Sequence, residues 1–187
     1  MCLEMKISSP PKGNLNTLLI VEDESDLRSL LVEELEEIPN IRIEEAANGA
    51  IALEKLKSTS ITAILSDINM PELNGLDFLE AARNLGFDTP LVFLTGYGDK
   101  EKAIRALRLG AFDFLSKPYD RELLIETVSR ALNFGEQMIS IETELEKLFA
   151  QSGLAPNQKE KFISSQRALF RMRADISVLN TKPKKAA

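Results

Sequence analysis

Five side chains able to do chemistry stand at the ends of apolar runs in this sequence. Glu22 and Asp23 follow Thr17-Leu18-Leu19-Ile20-Val21, Asp67 follows residues 61–65 and Ser66, Thr95 follows Pro90-Leu91-Val92-Phe93-Leu94, and Lys117 follows residues 111–115 and Ser116. Brought together, they form a set of three carboxylates, a hydroxyl and an ammonium. Carboxylates within ~4 Å of one another repel by about 4 kcal/mol per pair at an effective dielectric near ~20. A hard divalent cation removes that conflict, and magnesium prefers one or two carboxylates, waters and a substrate phosphate to a complete protein cage. With charge neutralised, one carboxylate can act as a nucleophile on phosphorus and form an acyl phosphate. Thr95 could then bond a phosphoryl oxygen, and Lys117 could pair with another. Asp67 is the position at which we place that chemistry; the alternative reading is an acid that caps a loop.

For these residues to meet, the chain must bring the ends of its apolar runs to one place. Residues 61–65 read as a strand buried on both faces, bounded by Ser58-Thr59-Ser60 and Met70-Pro71, with Asp67 just past its C-terminal end. Thr17 to Val21 reads as a first strand. Leu27, Leu30, Leu31, Leu35 and Ile38 recur at helical spacing until Pro39. Ile41-Arg42-Ile43-Glu44 alternates like a half-buried strand near a sheet edge, and Asn48-Gly49 turns into a helix with Ile51, Leu53 and Leu56. Gly75 opens a third helix through Leu76, Leu79, Ala82 and Leu85. The strand over 90–94 follows, then a helix capped by Asp99 and ending at Gly110, a strand over 111–115, and a fifth helix from near Arg121. Five strands alternating with five helices at this spacing call for an α/β fold, a doubly wound parallel sheet with helices on both faces. In such a sheet the C-terminal strand ends line one crevice, which is where its ligands bind.

Composition narrows the chemistry further. At 187 residues and 20.8 kDa, with 44% hydrophobic residues, the chain has room for one domain and an extension. It contains no histidine, so no Ser/His/Asp triad, HExxH zinc site or phosphohistidine relay can be built within it. The single cysteine, Cys2, allows neither a disulfide framework nor a thiolate metal cluster and fits a reducing compartment. Residues 1–16 read as a flexible leader without the apolar core of a signal peptide, and no run approaches the ~18 apolar residues needed to span a bilayer. The expectation is a cytoplasmic protein.

Leu19-Ile20-Val21-Glu22-Asp23-Glu24, Leu65-Ser66-Asp67-Ile68-Asn69-Met70-Pro71 with Gly75, Leu94-Thr95-Gly96 and Phe114-Leu115-Ser116-Lys117-Pro118 together resemble the receiver domain of bacterial two-component response regulators over roughly residues 17–135. The resemblance implies a flavodoxin-like five-stranded sheet of order 2-1-3-4-5. It further implies Asp67 as phosphoacceptor, Glu22 and Asp23 as the acidic pair at a magnesium ion also held by Asp67 and the backbone carbonyl of Asn69, and Lys117 preceding a cis Pro118. The phosphoryl group would come from the phosphohistidine of a separate histidine kinase or phosphotransfer protein, which accounts for the missing histidine. Thr95 and Phe114 would be switch residues, although ordinary packing of Phe114 in an alternating strand is an equal reading. Asn69 and Tyr97 occupy positions that in the family influence how long the phosphate lasts. Glu33, Glu36, Lys55 and Lys102 read as solvated faces. The implied protein is a phosphorylation-controlled switch rather than an enzyme.

The resemblance stops at residue 135, and residues 136–187 form a helical extension with a basic tail. Ala131, Phe134, Met138, Ile141, Leu145 and Leu148 make a heptad-like stripe that would lengthen the fifth helix. Ser152-Gly153-Leu154-Ala155-Pro156 breaks it, and Phe162, Ser165, Leu169, Met172, Ile176 and Leu179 form a second stripe before Lys182-Pro183-Lys184-Lys185. Two such helices could form an αα-hairpin, pack across a second chain as a homodimer through 131–148 and 162–179, or fold back on the receiver, with a downstream protein as partner. The whole chain carries a net charge of -6, yet residues 156–187 hold eight Lys and Arg against Glu160 and Asp175, about +6 against about -12 for the remainder. That contrast keeps a DNA-binding transcriptional regulator as the alternative, although a helix-turn-helix normally needs a third supporting helix that is not visible here.

Overall fold

The computed structural model describes residues 15–96, 100–152 and 165. Ten elements alternate: β1 (Asn16–Val21), α1 (Ser25–Leu35), β2 (Ile41–Ala46), α2 (Gly49–Ser58), β3 (Ala63–Asp67), α3 (Gly75–Asn84), β4 (Leu91–Thr95), α4 (Lys100–Arg108), β5 (Asp113–Ser116) and α5 (Arg121–Ser152). The strands form one sheet in the order β2-β1-β3-β4-β5, with every pairing parallel.

The two-residue period of a strand explains how one run of apolar residues serves two cores. From β1, Leu19 and Val21 join Ile64, Phe78, Leu79 and Phe93 in a core under α2, α3 and α4. Leu18 and Ile20 point the other way, to Leu31, Leu35, Leu65, Val92, Leu124 and Val128 under α1 and α5. The three central strands are therefore apolar at most positions, while β2, at the edge, alternates half-buried and exposed only over Ile41, Arg42 and Ile43 before Glu44 is half-buried against Lys55.

Several boundaries differ from those read in the sequence. β3 begins two residues later and runs through Asp67, which pairs with Leu94, so the acid is the last residue of the strand rather than one beyond it. β5 starts at Asp113, after Phe112 has donated its N–H to Leu91 O at 2.7 Å. Leu30 fits the helical period of α1 but is 45% exposed, because the core under α1 and α5 is filled by Leu31 and Leu35 on the adjoining stripe. Asp99, expected to cap α4, and Tyr97 lie outside the described residues.

Side chains set the ends of the helices. Asn48 accepts from the Ile51 N–H at the start of α2, Asn74 from Asp77 N–H at the start of α3, and Asp120 from Leu123 N–H at the start of α5. At the end of α4, Gly110 takes the left-handed conformation that lets Ala111 N–H return to Ala106 O. Arg83, from the last turn of α3, donates to Phe87 O, Thr89 O and Gly110 O at 2.7, 3.1 and 3.0 Å, and so joins the α3–β4 loop to the end of α4.

α5 is continuous for 32 residues, about 48 Å at 1.5 Å per residue. It crosses position 135 without a break. Its first half buries Leu124, Val128, Ala131 and Leu132, and the Phe134 ring stands 5.4 Å from that of Phe112. The inner part of the stripe over 131–148 is thus occupied by the core of the same domain. Beyond Met138, Ile141 is 36% and Leu148 58% exposed, while Leu145 and Phe149 are half-buried. The second stripe and the basic tail lie outside the described residues, except for Ser165, which is helical and exposed.

Gly135 marks a close contact between α5 and the body: a Cβ there would stand 2.0 Å from Thr62 O. Gly135→Ala must push the helix off this backbone, and we expect about 2 kcal/mol of lost stability in urea denaturation. An unchanged midpoint would mean that the helix does not approach Thr62 this closely.

Candidate functional site

The parallel register brings the strand ends to a common edge. Val21 lies opposite Ser66, Asp67 opposite Leu94, and Thr95 opposite Ser116. Glu22 is the first residue after β1, its N–H bound to Ala46 O at 3.1 Å, and Lys117 is the first after β5, its N–H bound to Thr95 O at 2.7 Å. The Lys117–Pro118 peptide is cis. The order of the elements places all these residues, with no long loop needed.

Lys117 is the centre of the site. Its ammonium donates to Asp67 Oδ1 at 2.6 Å and to Glu22 Oε2 at 3.0 Å. Both carboxylates are nearly sealed from water, Glu22 at 2% exposure and Asp67 at 5%. Burial raises the Glu22 carboxyl above its usual range, and the Lys117 hydrogen bond and charge only partly offset this. For Lys117, burial works against the charge, but the hydrogen bonds to Asp67 and Glu22 hold the ammonium above its ordinary value.

The remaining contacts orient Asp67. Its Oδ2 accepts the Asn69 N–H at 2.5 Å, so each carboxylate oxygen has a donor. Gly75 packs against its backbone so closely that a Cβ would lie 2.2 Å from Asp67 O, and Gly75 N–H holds Ile68 O at 3.0 Å. Sequence reading took Gly75 as the start of a helix; its closeness to the acid was not visible there, although its fixed position eight residues beyond was a signal. Arg28 donates to Glu22 O at 2.7 Å and to Glu45 at 3.1 Å, fixing the turn that presents Glu22 and Asp23.

Not every expected residue reaches the acid. Thr95 is buried, but its hydroxyl donates to the neighbouring Gly96 O at 3.1 Å. Asp23 is exposed at the rim of the crevice. Phe114, opposite Phe93 in the sheet, packs half-buried against the core under α2 to α4. Lys102 lies at the exposed surface as read, and its ammonium there bonds Asn69 Oδ1 at 2.6 Å, linking α4 to the loop after Asp67. Lys55 likewise pairs with Glu44, at 2.6 Å.

Among the described residues, no group of three or more acidic, His or Cys side chains is gathered tightly enough to cage a metal alone. What the crevice offers is oxygen chemistry: two buried carboxylates sharing one ammonium, with a third acid at the rim. That set keeps an excess of negative charge and suits a hard cation that retains much of its water.

A parallel sheet of this order with an acidic crevice at its C-terminal edge defines a flavodoxin-like, doubly wound α/β domain. The family model of the response regulator receiver domain matches residues 18–129, and the chain belongs to that family. The chain is 32% identical over 136 residues to the transcriptional regulatory protein TdiR of Thauera aromatica, covering 72% of this chain and 59% of TdiR. It is 39% identical over 126 residues to the transcriptional regulatory protein CpxR of Escherichia coli, covering 66% of this chain and 53% of CpxR. A crystal structure of a response regulator receiver domain protein from Clostridium thermocellum matches with a TM-score of 0.61 at 28% identity, covering 66% of this chain and 99% of that one. The chain thus spans little more than half the length of TdiR and CpxR. No helix among the described residues is long and apolar enough to cross a membrane.

Removing the shared cation should expose the cost of burying two acids. Without metal, Lys117→Met is expected to lose about 2 kcal/mol at pH 7. The Glu22 carboxyl, already raised, rises further once its cation is gone. The stability linked to its protonated form is complete below pH ~4.5 and lost as pH climbs through the folded-state pKa, so the deficit against the parent should shrink on acidification. Urea midpoints at pH 5 and pH 7 measure this, and a deficit independent of pH would dissociate Lys117 from Glu22.

Proposed function

We propose that this receiver accepts a phosphoryl group on Asp67 from the phosphohistidine of a separate histidine kinase or phosphotransfer protein. The observation that carries the reading is the fixing of the Asp67 carboxylate at the end of β3 by Lys117 on one oxygen and the Asn69 N–H on the other. A carboxylate oxygen of Asp67 attacks phosphorus as the bond from phosphorus to the donor's nitrogen breaks, leaving an acyl phosphate on the aspartate. Lys117 can follow the new charge, since its ammonium already touches the acid. Thr95 must turn its hydroxyl away from Gly96 O to bond a phosphoryl oxygen, and Phe114 follows as the packing residue of the switch. Glu22, Asp23, Asp67 and the Asn69 carbonyl would hold magnesium, which when bound neutralises charge on the transferring group.

The consequence is a shift between two conformations. The face made by α4, β5 and α5 presents a different surface to a downstream protein, and near-complete switching takes about 5 kcal/mol of differential stabilisation. The chain acts in the cytoplasm as a switch and not as a catalyst on a separate substrate. Incubation with a small phosphodonor and magnesium should label the parent protein, and Asp67→Asn should abolish the label. Undiminished labelling of that variant would move the acceptor elsewhere.

Transcriptional control is the second reading, supported by the names of TdiR and CpxR and by the basic character of residues 156–187. It requires salt-sensitive retention of mixed DNA fragments by the full chain, with loss of retention when residues 156–187 are deleted. Retention that survives the deletion would remove the tail from that role.

A further inference from the structure

The loop from Ile68 to Asn74 carries Asn69, whose N–H holds Asp67 Oδ2, and its two sides are fixed differently. On the α2 side the ties are short and sheltered. Asn48, 6% exposed, donates to Glu72 Oε2 at 2.9 Å, Gly49 N–H donates to Leu73 O at 3.0 Å, and Gly75 N–H closes the loop on Ile68 O at 3.0 Å. On the α4 side the loop faces a groove of about 570 Å³, lined by the buried Ile68, Met70 and Leu76. Contact across such a gap falls to long side chains.

α4 supplies two of them. Arg105 donates to Asp77 Oδ1 and Glu80 Oε2 of α3 at 3.0 and 2.9 Å, which sets one face of α4 toward α3. Lys102 stands three residues earlier and therefore on the same face. Its ammonium donates to Asn69 Oδ1 at 2.6 Å. Residue 69 is thus held by its side chain as well as by its backbone. The bond from Asn69 N–H back to Asp67, two residues earlier, is a local turn of the kind aspartate makes readily, and a loop backbone free to rotate would exchange it for water. Anchoring Oδ1 to a helix restricts that rotation.

We propose that Lys102 is a positioning residue for phosphoryl transfer, acting through Asn69 to hold the Asp67 carboxylate in the orientation from which it attacks phosphorus. The inference deepens the reading of Asp67 as acceptor and rests on it. Lys117 binds one oxygen of the carboxylate and Asn69 N–H the other, so the group can turn about its Cβ–Cγ bond only by losing one of these contacts. Attack needs the reacting atoms within a narrow range of distance and angle, and a small misplacement slows it severely. The role is geometric rather than electrostatic, because salt screens the charge of a lysine at the surface. It also makes the rate of transfer depend on where α4 stands.

The test measures labelling of the full-length chain by acetyl phosphate at saturating magnesium. Lys102→Met, which keeps the reach of the side chain and loses the ammonium, should label about fivefold more slowly than the parent. In the unphosphorylated variant the amide resonance of residue 69 should move upfield in a proton–nitrogen correlation spectrum, as the N–H leaves the carboxylate. Asn69→Ala should slow labelling by a similar factor, and adding Lys102→Met to it should slow it no further. Labelling of Lys102→Met at the parent's rate would overturn the proposal. So would an unmoved resonance, or a double variant in which the two losses multiply, since Lys102 would then act without Asn69. Label persisting on Asp67→Asn would overturn the acceptor assignment and this role with it, whereas each of the other outcomes leaves that assignment standing.

Discussion

Two buried carboxylates share one ammonium in this molecule, and much of the site follows from that arrangement. Glu22 and Asp67 come from neighbouring strands, and neither could keep its charge out of water without Lys117 between them. Lys117 arrives from the far side of β4, so the three strand ends are tied across the sheet edge by one side chain. Its backbone N–H also holds Thr95 O, which places the threonine in the same frame. Ion pairs of this kind add little to stability compared with apolar packing. They are instead sensitive to any change in charge at the crevice, since the ammonium has a choice of partners within reach.

The strands were legible in the sequence because their burial on both faces leaves nearly uninterrupted apolar runs, and the ends of those runs pointed to Glu22, Asp67 and Lys117, which the fold brings together. Sheet order needed more than rhythm, and came from the likeness of four short motifs. What stayed hidden depends on contacts between distant segments. Leu30 satisfies the helical period of α1 as well as Leu31 does, yet only Leu31 meets the core, because the period fixes a stripe and not its centre. Lys102 looked like any lysine on a polar helix face, and its bond to Asn69 exists only because α4 lies over the loop after β3. Gly75 carries no side chain to suggest chemistry; its role is to let a helix start against the backbone of Asp67.

The same limits explain the reading of α5. A heptad-like stripe can be used by any apolar neighbour, and the sequence left its neighbour open. The structure divides the stripe: up to Met138 it serves the receiver core, and beyond that Ile141 and Leu148 are exposed. One continuous helix thus joins a base packed on the sheet to an outer part beyond it.

Arg83 adds an asymmetry to the opposite side of the molecule. Its three bonds to backbone carbonyls secure the end of α4 to the α3–β4 loop, whereas the start of α4 is linked to the site through the exposed Lys102 side chain. α4 is thus a beam clamped at one end and tethered at the other. A change in charge at the crevice therefore meets α4 at its first turn, where Lys102 holds Asn69, and not at Gly110, where the clamp is made of backbone carbonyls.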